Sequence, residues 1–563
     1  MNFDRTHRGG LFATLILGLF VCLSFASSSV HADDQFIRGD ANLDGTIDIG
    51  DPISILGQLF SSTPTTCVDA SDANDDGSRD IGDAIYVLGF TFSSGAPPLA
   101  PFPTCGVDPT PDALDCAVNT LCGPVAPGAI YVDGALGSDT QTGGPNDPLA
   151  TISAGLAAAA NASLTEVIVA AGTYTTDLTF ANGISIAGGY DPVGWVAQPG
   201  VYSVIEGSAA GAQAMGITTS TLITGLDLRS ATPTGPNGAS IAFTAMNCDA
   251  NLAFDDCLFT AGNGTGGPPG LNGQPGLAGG AGSSGQVGNC DNNVTANGGS
   301  GGGSPAGNLG GAGGSGGDPG LNGSSGQNAI GGAFGGNGGI ADDPGGPGAN
   351  GQAGAPGASG ANGTTAGNPF GQVFAGAWTT FVSDSGSNGQ SGNGGGGGGG
   401  GGGQDGSVFI SEGTGNGGGG GGGGGTGGTA GQGGTGGGAS IAVLLVDSSP
   451  TFTNCSMTTG QGGDGGPGGM GGSGGAGGPG GQGASLCLMD VGRGGNGGSG
   501  GAGGNGGNGV GGPGGPSIPV YLAGSSAPAN LTTTNTLTPG VGGQGGATPG
   551  GAPAPNGPAQ PTN

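Results

Sequence analysis

The chain contains no lysine, and all six of its basic residues are arginine. Its two histidines, His7 and His31, both fall at the very start. Without lysine there is no residue for a phosphate loop or a Schiff base, and without an internal histidine there is none for general-base work near neutrality or for binding zinc. Glutamate is confined to Glu166, Glu206 and Glu412, and aromatic residues make up 5% of the chain. Few rings could therefore stack on a sugar, with Trp195, Trp378 and Tyr190 the best placed by type. A formal net charge of −31 excludes nucleic acid as a main partner, because binding a phosphate backbone needs basic side chains. What the chain has instead is glycine and aspartate. With 149 glycines and 38 prolines in 563 residues, much of it cannot build a conventional core, and any match to a glycine-rich phosphate motif follows from composition alone.

Arg5, His7 and Arg8 precede an apolar run over 11–25, and Val30-His31-Ala32 forms a small-residue cleavage site. Residues 1–32 therefore read as a cleaved secretory signal peptide, and the mature chain as secreted, extracellular or cell-surface. The run is too short for a comfortable membrane span, so none is expected in the mature protein. Cys22 would suit lipidation only with a small residue before it, and Val21 is bulky. In a secreted chain Cys67, Cys105, Cys116 and Cys122 could make two bridges, with three connectivities open. Cys248, Cys257, Cys290, Cys455 and Cys487 are odd in number, leaving at least one unpaired. None has a histidine partner to make it a nucleophile.

The most specific chemical signal is a duplication. RGDANLDGTIDIGDPISILGQLF and ASDANDDGSRDIGDAIYVLGFTF align at an offset of 32 residues. Each opens with a twelve-residue loop: Asp40, Asn42, Asp44, Thr46, Asp48 and Asp51 in the first, Asp72, Asn74, Asp76, Ser78, Asp80 and Asp83 in the second. Positions 1, 3, 5, 9 and 12 offer side-chain oxygens and position 7 a backbone carbonyl, while Gly45 and Gly77 allow the sharp turn. An all-oxygen set at this spacing suits Ca2+ and does not suit zinc, so two Ca2+ sites are expected. An apolar segment follows each loop, and Ile53, Ile55, Leu56, Leu59 and Phe60 approximate one helical face. Here residues 33–122 resemble a type I dockerin, the duplicated calcium-loop-helix module, and are similar to dockerin-like modules of secreted planctomycete proteins. The resemblance implies a cohesin-like or other surface protein as partner. Two departures stand out: Ile49-Gly50 and Ile81-Gly82 replace the usual Ser-Thr recognition pair, and Arg79 replaces an apolar residue.

After a linker at 123–128, short apolar strands separated by glycine, asparagine or aspartate fill 129–261 and suit repeated coils. IYVDGALGSD, DPLATISAGLAAA and VIVAAGTY together resemble the entry of a right-handed parallel β-helix of the pectin-lyase-like superfamily. The resemblance implies that the alanine-rich stretch 152–160 forms a capping helix. A β-sandwich with the same strand spacing is the other reading. Two later islands repeat the pattern of Ser240-Ile241: Ser440-Ile441 within 439–459 and Ser517-Ile518 within 516–540. They read as further rungs, stacked directly on 239–260. The fold expected is thus mainly β, a right-handed parallel β-helix with long glycine-rich excursions, preceded by a small α dockerin-like EF-hand-type calcium module.

The excursions are 262–438 and 460–515, with a disordered tail expected over 541–563. Within them glycine recurs every third residue, the period of polyproline II, and in 462–483 and 494–515 the unit is Gly-Gly-x. Collagen is excluded because the period breaks and proline is sparse. Ordering glycine costs about 1 to 2 kcal/mol per residue, so disorder competes with bundling. Bundling is favoured because both tracts leave from one corner of the coil.

No catalytic apparatus is evident. Asp227 and Arg229 share one face of a strand, a weak counterpart of the arginine and acids of polysaccharide lyases, and Asp255 and Asp256 would point to opposite faces. The expected function is a non-catalytic secreted or cell-surface structural or adhesion protein with a calcium-dependent attachment module. The alternative is a dockerin-bearing extracellular polysaccharide lyase or glycoside hydrolase, with a polysaccharide as partner.

Overall fold

The computed structural model describes residues 35–106, 108–110, 112–114, 116, 122, 128–364, 370–406, 412–529 and 531–563. The expected signal peptide lies outside these residues. Two compact units divide at Pro127 and Gly128.

The first unit contains two helices, α1 (Gly50–Phe60) and α2 (Ile81–Ser93), each entered from one of the duplicated loops. α2 has a capping box: Asp80 accepts from the Gly82 amide, and Asp83 accepts from the Asp80 amide. Ile55, Ala84 and Val87 pack together with Ala41 and Ala73 into a thin core. So small a core needs staples. Cys67 pairs with Cys116 and Cys105 with Cys122, which fixes one of the three connectivities. At its centre Arg38 is fully buried and bonded to Asp69 (3.4 Å), Asp75 (3.0 Å) and Asp108 (2.5 Å). Its guanidinium also donates to the Asp72 and Ala100 carbonyls.

The second unit is mainly β, with strands in three parallel sheets. One sheet comprises Ala129–Val132, Glu166–Ala170, Ser185–Tyr190, Thr221–Thr224, Leu252–Asp255 and Thr451–Thr453. A second comprises Thr179–Phe180, Ala212–Met215, Ser240–Met246, Ser440–Val446 and Ser517–Ala523. The third comprises Gly172–Thr175, Ser203–Gly207, Leu226–Ser230, Leu258–Ala261, Ser456–Thr459 and Thr536–Thr538. From Glu166 onward the chain visits the first sheet, then the third, then the second, and repeats. Corners between strands take left-handed backbone, which only glycine, asparagine and aspartate adopt readily. Gly216, Asn247, Asp447 and Gly524 accordingly stack at one corner with φ of 62°, 53°, 47° and 64°. Gly225, Asp256 and Asn454 stack at the next.

The three islands stack consecutively and in register: Ser240 pairs with Ser440 and Ser440 with Ser517, and Ile241, Ile441 and Ile518 follow. Inside, Phe180, Phe243, Phe254, Phe259 and Phe452 form one ring cluster, with Phe254 and Phe452 stacked at 5.3 Å. Helix α3 (Ile152–Ala162), capped by Thr151, turns Ile152, Leu156 and Ala159 into the same core. A hairpin, Gln372–Phe374 with Ala377–Thr379, places Trp378 against Tyr521 on the outside of the second sheet.

The glycine excursions are a lattice of extended threads. Every third amide from Gly264 to Gly285 donates to carbonyls from Gln461 to Gln482, at 2.7 to 2.9 Å. In the all-glycine run 394–403 successive amides go to three different neighbours: Gly398 to Gly419, Gly399 to Ala349, Gly400 to Ser324. The same run accepts from three more threads, through Gly314 to Gly398, Gly339 to Gly400 and Gly495 to Gly399. It is therefore surrounded on six sides and buried. Threads of the Gly-Gly-x type lie further out. In 462–483 one residue in three, including Asp464, Met470 and Gln482, reaches the surface. Thread 348–363, with two side chains per triplet, lies at an edge with both exposed. The number of glycines per triplet thus sets how many sides of a thread are covered. A bridge between Cys290 and Cys487 joins the two excursions.

Residues 541–563 depart from the expectation of a disordered tail. Gly543 and Gly546 donate to Gly515 and Gly512, and Ser517 and Val520 bridge to Ala559 and Thr562. The thread 494–515 and the strand Ser517–Ala523 would otherwise leave carbonyls and amides unpaired along this edge, and the last residues satisfy them.

Candidate metal centre

Each duplicated loop folds back on its own carboxylates. In the first, Asp40 accepts from the amides of Asp44 (3.1 Å) and Gly45 (2.9 Å), and Asp51 from Asn42 (3.3 Å) and Asp48 (2.8 Å). In the second, Asp72 accepts from Asp76 (3.3 Å) and Gly77 (2.8 Å), and Asp83 from Asn74 (3.4 Å) and Asp80 (2.7 Å). The bonds correspond one for one at the 32-residue offset. Gly45 and Gly77 sit at φ of 87° and 77°, which a side chain at loop position 6 would strain.

Asp40, Asp51, Asp72 and Asp83, the first and last residues of the two loops, are fully buried. Asn42, Asp44, Thr46, Asp48, Asp76, Ser78 and Asp80 stay exposed and Asn74 half-buried. Burial raises the carboxyl of Asp51 to about 6 against the opposing pull of amide hydrogen bonds, and repulsion from Asp40 and Asp44 adds to it. Asp83 likewise rises to about 6 through burial, with Asp72 contributing. Burial raises Asp40 too, whereas hydrogen bonds from Thr46 lower Asp44. Like charges gathered at a buried point are what a divalent cation relieves. The donor set is oxygen throughout, so the residues present fit Ca2+ and no soft metal. Asp40, Asn42, Asp44, Thr46, Asp48 and Asp51 would hold one ion, and Asp72, Asn74, Asp76, Ser78, Asp80 and Asp83 the other. Bound Ca2+ would supply charge neutralisation and would tie each loop to the start of its helix.

Arg79, the departure from the apolar pattern, has a structural role. It donates to Gln58 (3.0 Å), which also accepts from Ser71 and donates to the Ala41 carbonyl, so one polar cluster links the two repeats. Sequence reasoning did not find the Arg38 network or the group Asp69, Asp108 and Asp112 beside it. No spacing marks them, because they come together through the Cys-stapled tail. Burial raises Asp69 to about 7, against the lowering effect of Arg38.

The helices leave a repeated apolar face uncovered. Ile49, Ile53 and Phe60 are 55%, 62% and 73% exposed, and their counterparts Ile81, Ile85 and Phe92 are 54%, 62% and 65% exposed.

The residues weighed for sugar chemistry serve the fold. Trp195 is buried against Tyr131 and donates to the Pro145 carbonyl. Arg229 donates from Nε (2.9 Å) and Nη2 (2.6 Å) to the same oxygen of Asp227, Oδ2, on the outside of the third sheet. Asp256 is a left-handed corner residue that accepts from Tyr202, while Asp255 accepts from Asn454 on the next coil. Among the described residues no helix is long and apolar enough to cross a membrane, and the three disulfides are compatible with an extracellular protein. No family model, curated protein or solved structure matches the chain.

Proposed function

We propose that this is a secreted or cell-surface structural or adhesion protein without catalytic activity, attached through a calcium-dependent, dockerin-like module. The observation that carries the reading is the repeated apolar face. Ile49, just before α1, and Ile53 and Phe60 on it recur as Ile81, Ile85 and Phe92 on α2, all exposed where the helices spring from the two acidic loops. Soluble domains seldom leave so many large apolar side chains together in solvent without a partner. Calcium in both loops would fix the helix starts and so present the face. The body is read as a right-handed parallel β-helix of the pectin-lyase-like kind, supported by the three parallel sheets and the repeated visiting order. Its excursions form the glycine lattice, cross-linked throughout by backbone hydrogen bonds.

The test uses the full mature chain on a panel of cohesin-type domains and on intact envelope, with calcium or with chelator. Capture should require calcium and should be lost in the double variant I53E/I85E, which should still bind calcium. Equal capture by that variant would refute the face as the docking surface. Incubation with pectin and related glycans should release no unsaturated or reducing ends; their release would favour the lyase or hydrolase reading through Asp227 and Arg229.

A further inference from the structure

Three cysteines, Cys248, Cys257 and Cys455, are buried in the coil interior as thiols. Two of them are neighbours. Cys257 precedes Leu258 and Cys455 precedes Ser456, residues that pair across adjacent coils, and the Ser456 amide donates to the Cys257 carbonyl at 3.0 Å. Both side chains belong to the same interior cluster, where Cys257 donates to the Ile223 and Asp255 carbonyls (both 3.4 Å) and Cys455 to the Thr453 carbonyl (3.2 Å). We propose that Cys257 and Cys455 are the two halves of a further disulfide, one that staples consecutive coils across the base of the first glycine excursion.

Geometry permits the bond. Adjacent strands of a parallel sheet lie about 4.7 to 4.9 Å apart, within the roughly 4.4 to 6.8 Å that a disulfide needs between its Cα atoms. Cys248 lacks this arrangement, since its counterpart on the next coil is Ser448, whose hydroxyl accepts from the Cys248 amide at 3.0 Å. Beyond Cys455 the ladder continues with Asn535, whose Oδ1 accepts from the Cys455 amide at 2.9 Å. The two sulfurs therefore have each other as the nearest thiol on the ladder. The chain already makes disulfides in both units, one of them, Cys290–Cys487, joining the first excursion to the second.

The oxidant is an external disulfide of the thiol-exchange class. Cys455, whose thiol is lowered chiefly by the neighbouring Cys257 side chain, attacks one sulfur of that disulfide as a thiolate and releases the first thiolate. Cys257 then loses its proton and attacks the Cys455 sulfur of the mixed disulfide, releasing the second thiolate. Two electrons pass to the external disulfide and two protons to water. The exchange belongs to folding, before Asn535 and the last coil close over Cys455.

The test is disulfide mapping of the full chain, exported into an oxidising compartment and, in parallel, refolded from denaturant with calcium and oxidised glutathione. The product is denatured in excess N-ethylmaleimide without reductant and cut with chymotrypsin, which separates Cys257 from Cys290 at Phe259. The expected result is a linked Cys257–Cys455 peptide, two hydrogens lighter than its parts, with Cys248 alkylated. Alkylation of both Cys257 and Cys455 in chains that contain linked Cys105–Cys122 and Cys290–Cys487 would overturn the proposal, as would a link from either to Cys248. In C455S, Cys257 should change from blocked to fully alkylated, and C248S should leave the link intact; loss of the link in C248S would also count against it.

Discussion

Two glycine-to-alanine substitutions in the lattice separate backbone packing from chain entropy. At Gly400 an added Cβ would lie 1.9 Å from the Ser315 carbonyl oxygen, 2.4 Å from its carbon and 2.9 Å from the Gly316 nitrogen. All three are backbone atoms, so no side chain can swing aside. Relief requires threads 310–317 and 394–403 to part by more than about 1 Å, given ordinary contact distances near 3.5 Å. That would stretch the bonds from Gly311 to Gly395, Gly314 to Gly398 and Gly317 to Gly401, now 2.8 to 2.9 Å, beyond hydrogen-bond range. Three such bonds are worth about 1.5 to 4.5 kcal/mol net, and overpacking typically adds about 1 to 3 kcal/mol. At Gly303 nothing lies within 4 Å of an added Cβ. There the lost freedom of the unfolded chain should dominate and stabilise by about 0.4 to 1 kcal/mol. G400A should therefore destabilise by at least about 2.5 kcal/mol, whereas G303A should be neutral or better. Denaturant unfolding with calcium present, followed by circular dichroism and by amide exchange over the lattice, measures both. Equal stability of the two variants, or protection of the 394–403 amides unchanged in G400A, would refute close packing of the threads.

Three further outcomes follow from single contacts. Asp51→Ala removes the buried position-12 carboxylate of the first loop, so calorimetric titration of the full chain should fall from about two Ca2+ to about one. Ser440→Ala removes the hydroxyl that donates to the Gly262 carbonyl at 2.7 Å where the first excursion leaves the coil, and orphaning that carbonyl should cost about 1 to 3 kcal/mol in thermal unfolding. Arg38→Met strips the cation from Asp69, Asp75 and Asp108; at neutral pH it should destabilise the first unit by about 3 to 5 kcal/mol, read as early loss of protection in α1 and α2.

The parts of the molecule legible in sequence were those that repeat with side chains. The acidic loops recur at a fixed offset, and the Ser-Ile islands carry enough apolar pattern to set their register, which the pairing of Ser240, Ser440 and Ser517 bears out. The serines mark the corner because their hydroxyls satisfy departing backbone: Ser440 bonds Gly262, and Ser517 bonds Gly460 at 2.8 Å. The neighbours of each glycine thread could not be read. A Gly-Gly-x thread looks nearly the same after a shift of three residues, and most of its hydrogen bonds are made by backbone, with only scattered asparagines such as Asn496, Asn505 and Asn508 adding side-chain bonds. The burial order could have been read by counting glycines per triplet, since only a run such as 394–403 can be covered on every side. The Arg38 network was hidden for a different reason. Its acids come from separate segments, at Asp69, Asp75 and Asp108, and meet only through tertiary packing.

Because backbone bonding alone would tolerate a three-residue slip, something with a side chain must fix the register of the lattice, and Asn416 is placed to do so. It is fully buried at the start of the run 415–425. Its Oδ1 accepts from the amides of Gly288 and Leu486, both at 3.0 Å, and its Nδ2 donates to the carbonyls of Leu486 (2.8 Å) and Gly492 (3.0 Å). One side chain therefore ties the end of the first edge thread to the turn of the second excursion, next to the Cys290–Cys487 bridge. The opposite ends of the threads are held by the corner serines. Side-chain bonds such as those of Asn272, Thr426 and Thr429 hold the middle of the threads, and Asn416 adds a buried anchor at the end away from the serines. Asn416→Ala leaves two amides and two carbonyls of buried or half-buried backbone with fewer partners, at about 1 to 3 kcal/mol for each group left unmet. Amides of Gly288 and Leu486 should then exchange at least about tenfold faster, the ratio that about 1.4 kcal/mol of lost local stability gives, while the islands at 440–446 and 517–523 keep their protection. Unchanged exchange at Gly288 and Leu486 in N416A would show that the disulfide, the serines and the other side-chain bonds suffice, and that Asn416 does not set the register.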